Sequence, residues 1–235
     1  MSRVVVLQSD YLPWKGYFDL IHDADVFVFY DEVQYTKNDW RNRNRICSRN
    51  GVHWITIPVA RGAVKQTISE VELPANGWEE RHYKTLHFTY KGAPHFAQLE
   101  SLLETFFRGP RFTHLSRLNQ ALIRELCAML GIRTRLLDSK GLRLEGDRVT
   151  RLLGLLEQLG TTTYVSGPSG RDYLEPFRSA FEARGIHITY KDYSGYPEYP
   201  QLSQPFTHGV SIVDLIANLP LAEVPRHIWG WRRGA

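Results

Sequence analysis

The stretch "RVVVLQSDYLPWKGYFDLIHDADVFVFYDEVQ", residues 3–34, decides the fold class. Its opening run, Val4 to Leu7, is short, apolar and rich in β-branched side chains, so it reads as a buried strand. A second strand follows in "DADVFVFYDEVQ", where Val26, Val28 and Tyr30 alternate against Phe27 and Phe29. Between the two, Pro13 and Gly16 punctuate a turn, and Tyr17, Leu20 and Ile21 then recur at helical spacing. Strand, helix and strand in that order predict an α/β protein. The expected architecture is a mostly parallel, Rossmann-like sheet with helices on both faces and a helical middle segment.

Outward from this unit, "HWITIPVA" (residues 53–60) reads as a third strand closed by Pro58, and "TISEVEL" (67–73) as a candidate fourth at a sheet edge. In the middle of the chain Leu99, Leu102, Leu103, Phe106 and Phe107 fall on one helical face. Leu115, Leu118, Leu122, Leu126 and Met129 do the same further on, with Gly131 as a stop and Cys127 as a core thiol. After Ile132 the alternation returns. "TRLLDS" is a strand, and residues 147–160 are a helix capped by Asp147 and stopped by Gly160. "TTYVSG" is a strand, "RDYLEPFRSAFEARG" contains a helix, "IHITYKDY" is a strand, and "VSIVDLIANL" is a short helix carrying Asp214. The chain is expected to be one α/β domain over residues 1–235, with the helical segment at about 78–131 as a candidate subdomain.

The 235 residues are 43% hydrophobic and 23% charged, enough to bury a substantial core. Two cysteines, Cys47 and Cys127, are too few for a disulfide framework. The N-terminus lacks a signal-like apolar run, and no stretch nears the roughly 18 apolar residues of a membrane span. A cytoplasmic protein is therefore expected. The net charge is +4, and residues 36–49 carry that same excess: Lys37, Arg41, Arg43, Arg45 and Arg49 against Asp39. A nucleic-acid binder usually shows a broad basic face, so this confinement disfavours nucleic acid. It suits a small anionic ligand, such as a nucleotide-linked or phosphopantetheine-bearing substrate.

No dinucleotide loop, phosphate-binding loop, nucleophile elbow or zinc motif is present, and no metal site is expected. Ligands of α/β sheets bind at the carboxyl ends of the strands. That rim would hold Gln8, Ser9 and Asp10 after the first strand, and Asp31 and Gln34 after the second. Beside Lys37, Arg41 or Arg43, Asp31 would have a lowered pKa. A third place on the rim is "YVSGPSGRDYL", whose turn could face an anion, flanked by Arg171 and Tyr173; its alternative is a purely structural loop.

"LQSDYLPWKGYFDLI", "DVFVFYDEVQYTKNDWRNRNRI" and "HWITIPV", followed in order by "YVSGPSGRDYL", "FEARGIHITYKDY", "YPQLSQPF" and "SIVDLIANL", resemble the WbqC-like protein family along nearly the whole chain. The matching positions include Gln8, Pro13, Trp14, Gly16, Tyr17, Phe18, Asp31, Gln34, Lys37, Trp40, Asn42, Arg43 and Asn44. Later matches are Gly167, Gly170, Tyr173, Gln201, Ser211 and Asp214. Ser9 departs from the pattern, which usually has proline after the glutamine, and "ANLP" lacks the glycine that commonly follows the asparagine.

The resemblance implies a role in modifying amino sugars or related amines in polysaccharide or natural-product biosynthesis. The implied reaction is acyl or aminoacyl transfer from a carrier-bound thioester. Implied partners are a small-molecule amine acceptor and an acyl or aminoacyl carrier protein. No cofactor is expected to be bound, although the donor can be phosphopantetheine-linked. The candidate catalytic residues are Asp31, Lys37 and Asp214. The candidate substrate-binding residues are Gln8, Trp14, Tyr17, Gln34, Trp40, Asn42, Arg43, Arg171 and Tyr173. Cys47 lies between Arg45 and Arg49, which would favour its thiolate, but it has no matched His–carboxylate partner. Two alternatives stay open: a thioester or amide hydrolase on the same scaffold, and a non-catalytic protein that binds carrier proteins or nucleic acid.

Overall fold

The computed structural model describes residues 2–234. Five parallel strands form the central sheet: β1 (Arg3–Leu7), β2 (Val26–Phe29), β5 (Arg135–Asp138), β6 (Thr163–Ser166) and β7 (His187–Tyr190). Their spatial order is β5–β2–β1–β6–β7. The chain therefore winds from β1 out through β2 to β5, then crosses back to β6 and β7 on the other side. The reversal between β1 and β6 is the switch point at which such sheets open a crevice beyond their strand ends. The sheet is the mostly parallel α/β arrangement that the sequence predicts.

Alternation within the strands fills two cores. Val5, Phe27 and Phe29 belong to one cluster, whereas Val4, Val6 and Val28 belong to the other, with Val26 and Tyr30 packed against it. Strands buried on both faces read as continuous apolar runs, as β1 does. The first core takes α1 (Lys15–His22), α2 (Trp78–Tyr90), α3 (Ala97–Phe107), α4 (Leu115–Met129) and α8 (Ile212–Asn218). The second takes α5 (Arg148–Gln158), α6 (Arg171–Leu174) and α7 (Arg178–Glu182). Helices α2–α4, the helical middle segment, share one continuous apolar cluster with the sheet.

Local signals account for many boundaries. Asp147 caps α5 by accepting from the N–H groups of Val149 and Thr150 at 3.0 and 2.8 Å. Gly160, just past the end of α5, sits at φ +60°, a left-handed stop that a side chain would resist. The helix expected in residues 171–185 is broken into α6 and α7 by a 3₁₀ turn at Glu175–Phe177, where Pro176 cannot donate into a regular helix.

The expectations for residues 53–60 and 67–73 meet different outcomes. "HWITIPVA" does hold a strand, β4 (Gly51–Thr56), but outside the main sheet: it pairs only with β3 (Arg43–Ser48) as an antiparallel hairpin. β3 itself arises from the basic strip. Its arginines alternate with Asn44 and Ile46, which point inward, so charge masks a strand pattern of period two. "TISEVEL" forms no edge strand. Thr67 and Glu70 make a capping box, with Thr67 N–H donating to Glu70 Oε2 at 2.8 Å, and a 3₁₀ turn at Ile68–Glu70 results.

Candidate functional site

The loop after β1, residues 8–14, is the structural centre of the strand-end rim, and the basic strip holds it in place. Tyr11 N–H donates to the Trp40 carbonyl at 2.9 Å, and Asn44 Nδ2 donates to the carbonyls of Tyr11 and Leu12 at 3.0 and 2.9 Å. Arg41 forms an ion pair with Asp10. Asn42 is buried and donates to the Ile57 carbonyl at 2.7 Å, so it ties the hairpin together. Tyr17, also buried, donates to the Gln8 carbonyl at 2.9 Å. Much of the motif's polarity is therefore committed to protein carbonyls, because an irregular loop leaves its backbone groups to be satisfied by side chains.

Asp31 is fully buried, and its environment differs from the expected one. Its carboxylate accepts from Ser9 N–H at 2.8 Å and Gln120 Nε2 at 3.1 Å, with no cation paired to it among the described residues. Burial therefore pushes its pKa up rather than down, partly offset by the hydrogen bonds from Ser9 and Gln120. Lys37 is exposed in the turn before β3. Neither makes a hydrogen bond or ion pair with Asp214. Gln34 is exposed and donates to the Val64 carbonyl at 2.8 Å. Arg171 lies over the Tyr190 ring at 4.6 Å, and Tyr173 receives Arg148 at 3.8 Å, both on the α5–α6 side of the sheet.

Asp214, in the first turn of α8, organises a different cluster. The residues between β7 and α8, 191–210, contain neither helix nor strand, and they lie across α1 and α8. A segment of this length without regular structure is commonly functional. From it, Tyr199 OH donates to Asp214 Oδ2 at 2.7 Å and Gln201 Nε2 donates to the same oxygen at 2.9 Å. Gln201 is itself fixed by Thr207, giving to its carbonyl at 3.0 Å and accepting from its N–H at 2.9 Å. Burial raises the Asp214 pKa to about 6, against the opposing hydrogen bonds from Tyr199, Gln201 and Tyr90.

The residue that sequence reasoning missed is Lys15, the first residue of α1. It is only 2% exposed. Its Nζ donates to the Pro197 carbonyl at 3.2 Å and lies 4.9, 5.4 and 5.8 Å from the ring centroids of Tyr196, Tyr199 and Phe206. Among the described residues no carboxylate pairs with it. Burial lowers its pKa to about 8, with Glu198 opposing. His208 completes the wall, its ring 4.6 Å from Phe206; burial and then Lys15 lower its pKa. Trp14 packs edge-on against Tyr193 at 5.0 Å and Tyr196 at 6.0 Å, so this predicted residue does join the cluster. The signal in "PWKGYFDLI" was a lysine among side chains that must all be buried against the sheet.

Cys47 borders the same cluster. It is 1% exposed, its N–H donates to Tyr90 OH at 3.2 Å, and its Sγ is 3.2 Å from Ser203 Oγ. Among the described residues no His–carboxylate pair addresses its sulfur. Among the described residues no group of three or more His, Cys, Asp or Glu is placed to hold a metal ion. No helix among them is long and apolar enough to cross a membrane.

The comparison with known proteins settles what kind of chain carries this arrangement. It matches the WbqC-like protein family over residues 8–225, which takes in the β1 loop, the basic strip, Lys15 and Asp214. The chain belongs to the WbqC-like protein family. It is also 42% identical over 229 residues to the uncharacterized protein Rv1507c of Mycobacterium tuberculosis (strain ATCC 25618 / H37Rv). That alignment covers 97% of this chain and 98% of the relative. No solved structure matches. Within this WbqC-like chain, Lys15 and Asp214 come from the two ends of the family segment and meet through Tyr199.

Proposed function

We propose that this WbqC-like protein transfers an acyl or aminoacyl group from a carrier-bound thioester to the amine of an amino sugar or related small molecule, forming an amide. One observation carries the reading: Lys15 is a buried lysine without a counter-ion among the described residues, placed beside the Tyr199–Asp214 hydrogen bond. A lysine whose pKa lies near 8 is partly neutral at physiological pH and can accept and return a proton. The resemblance to the family supplies the substrate class.

In the proposed step the acceptor nitrogen attacks the thioester carbonyl carbon, the N–C bond forms and the C–S bond breaks. The proton leaving the nitrogen passes to Lys15 Nζ and from there to the departing thiolate. Asp214 is a positioning residue, because it orients Tyr199 and Gln201 and makes no ion pair with the lysine. Asp31 holds the β1 loop through Ser9. Residues 191–210 cover the lysine, so substrate entry requires that this segment part from α1.

The test is to incubate the protein with phosphopantetheine-linked thioesters and candidate amino sugars, with mass spectrometry of the products. Amide product that disappears in Lys15→Met supports the reading. Free acid forming equally fast without an amine would assign a hydrolase, and the absence of either product across the panel would retire catalysis at this site.

A further inference from the structure

The outer face of the β3–β4 hairpin bears a second feature that the reacting centre does not use. Trp40 and Trp54 are 38% and 46% exposed, and their rings lie 5.3 Å apart. With Val52 they make up three of the five large hydrophobic side chains exposed among the described residues. Two arginines interleave with them. The Arg43 guanidinium stacks on Trp54 at 4.2 Å, and that of Arg45 lies 5.8 Å from Trp40 and 5.9 Å from Trp54. Neither arginine pairs with a carboxylate among the described residues, and Arg43 Nη2 donates to the Asn38 carbonyl. The Nε atoms of both are sealed without a hydrogen-bond partner. Other arginines, such as Arg108, Arg111, Arg178 and Arg184, are neutralised by glutamates.

Partly exposed indole rings, one face of Trp54 carrying Arg43, and guanidiniums without a carboxylate partner beside one strand pair are the two halves of a recognition surface for a stacked base and its phosphates. We infer that this face binds a nucleoside diphosphate, with the base on the exposed tryptophan rings and the phosphates on Arg43 and Arg45. Its extent matches one nucleotide rather than a polymer, because the cationic excess of the chain is confined to residues 36–49. The phosphate end also adjoins the segment that covers the lysine. The Arg45 guanidinium rests against Gly209, where any side chain would collide with it. Its neighbour His208 packs on Phe206 and Tyr196, two of the rings around Lys15. These contacts join the arginine to the segment that covers the lysine. The inference names the handle by which one substrate of the proposed transfer is held, and in that sense it rests on that reading. Binding itself needs no transfer.

Isothermal titration calorimetry of the full chain tests it with uridine diphosphate, adenosine diphosphate, the two nucleosides, inorganic pyrophosphate and a single-stranded oligonucleotide. At least one nucleoside diphosphate is expected to bind tenfold or more tighter than both pyrophosphate and its nucleoside. Trp54→Ala and Trp40→Ala, both exposed positions with unchanged circular dichroism, should each weaken that binding by about tenfold to a hundredfold. Arg45→Ala should weaken it and flatten its salt dependence. Coenzyme A against a uridine diphosphate amino sugar then assigns the handle to donor or acceptor, and either result upholds the site. Diphosphates that bind no tighter than pyrophosphate, tryptophan variants that bind like the wild type, or tighter binding of the oligonucleotide would each overturn it. Loss of transfer in Lys15→Met with diphosphate binding intact would leave this site standing, so the two readings fail separately.

Discussion

Lys15 and Asp19 stand one helical turn apart on α1, both buried, and make no ion pair. Opposite charges at this spacing normally attract. Here Asp19 is taken by other partners: Lys191 Nζ at 2.8 Å, Arg232 Nη1 at 2.8 Å and Tyr196 OH at 2.5 Å. The diversion leaves Lys15 with aromatic faces and a single carbonyl. A buried ammonium so placed is destabilising, and proteins keep such groups mainly where they are used.

Lys15→Met should therefore stabilise the protein while removing the proposed transfer. Because the folded-state pKa is lowered from 10.5 to about 8, the wild type bears the full penalty below pH 8 and loses it as pH rises toward 10.5. Allowing for screening, urea denaturation at pH 7 should show a gain of about 1–2 kcal/mol that shrinks at pH 10. A variant less stable than the wild type at pH 7 would contradict this account of the lysine.

Asp214 has the opposite charge and the same kind of penalty. Its folded-state pKa is raised from 3.8 to about 6, so its contribution is fully present below pH 3.8 and is lost as pH climbs through 6. Against Asp214→Asn, which does not titrate, the wild type should lose about 2 kcal/mol between pH 4 and pH 7. Denaturation curves of the two proteins at four pH values give the difference directly. A difference that stays flat would mean Asp214 ionises as freely in the fold as in the unfolded chain.

The two other predicted catalytic residues should separate sharply. Asp31→Ala strands the buried N–H of Ser9, while Gln120 keeps Asp138 as a partner, and is expected to cost about 1–3 kcal/mol. Lys37→Ala, at an exposed turn position, should change stability by less than about 0.5 kcal/mol. Thermal melts of both variants at pH 7 decide whether the motif's carboxylate and lysine do the different jobs that their burial indicates.

Gly16 offers a test of packing around the site. Replacing a helical glycine by alanine usually stabilises by about 1 kcal/mol. At Gly16 a Cβ would overlap the Trp14 ring, which packs on Tyr193 and Tyr196. Gly16→Ala is expected to destabilise by about 1–3 kcal/mol and to alter the near-ultraviolet circular dichroism. A stabilised variant with an unchanged aromatic spectrum would show that the Trp14 wall is loose.

The sequence alone determined the parallel α/β plan, both sides of the sheet, the family and several caps, because those signals are local. The alternation of Val26, Val28 and Tyr30 against Phe27 and Phe29 needs only a period of two, and Asp147 reaches only the N–H groups of the next turn. It also brought Trp14, Trp40, Arg43 and Asp214 forward as candidates, the four that the proposed sites use. The tertiary structure alone decided which charges are neutralised. Among the described residues Lys15 lacks a counter-ion because Lys191, Tyr196 and Arg232, the last 213 residues along the chain from Asp19, take that carboxylate. Trp54 becomes the partner of Trp40 only when β4 folds back on β3. Asp31 meets Ser9 and Gln120 rather than the arginines beside it in sequence, since burial and ion pairing depend on which distant groups arrive and not on neighbours in the chain.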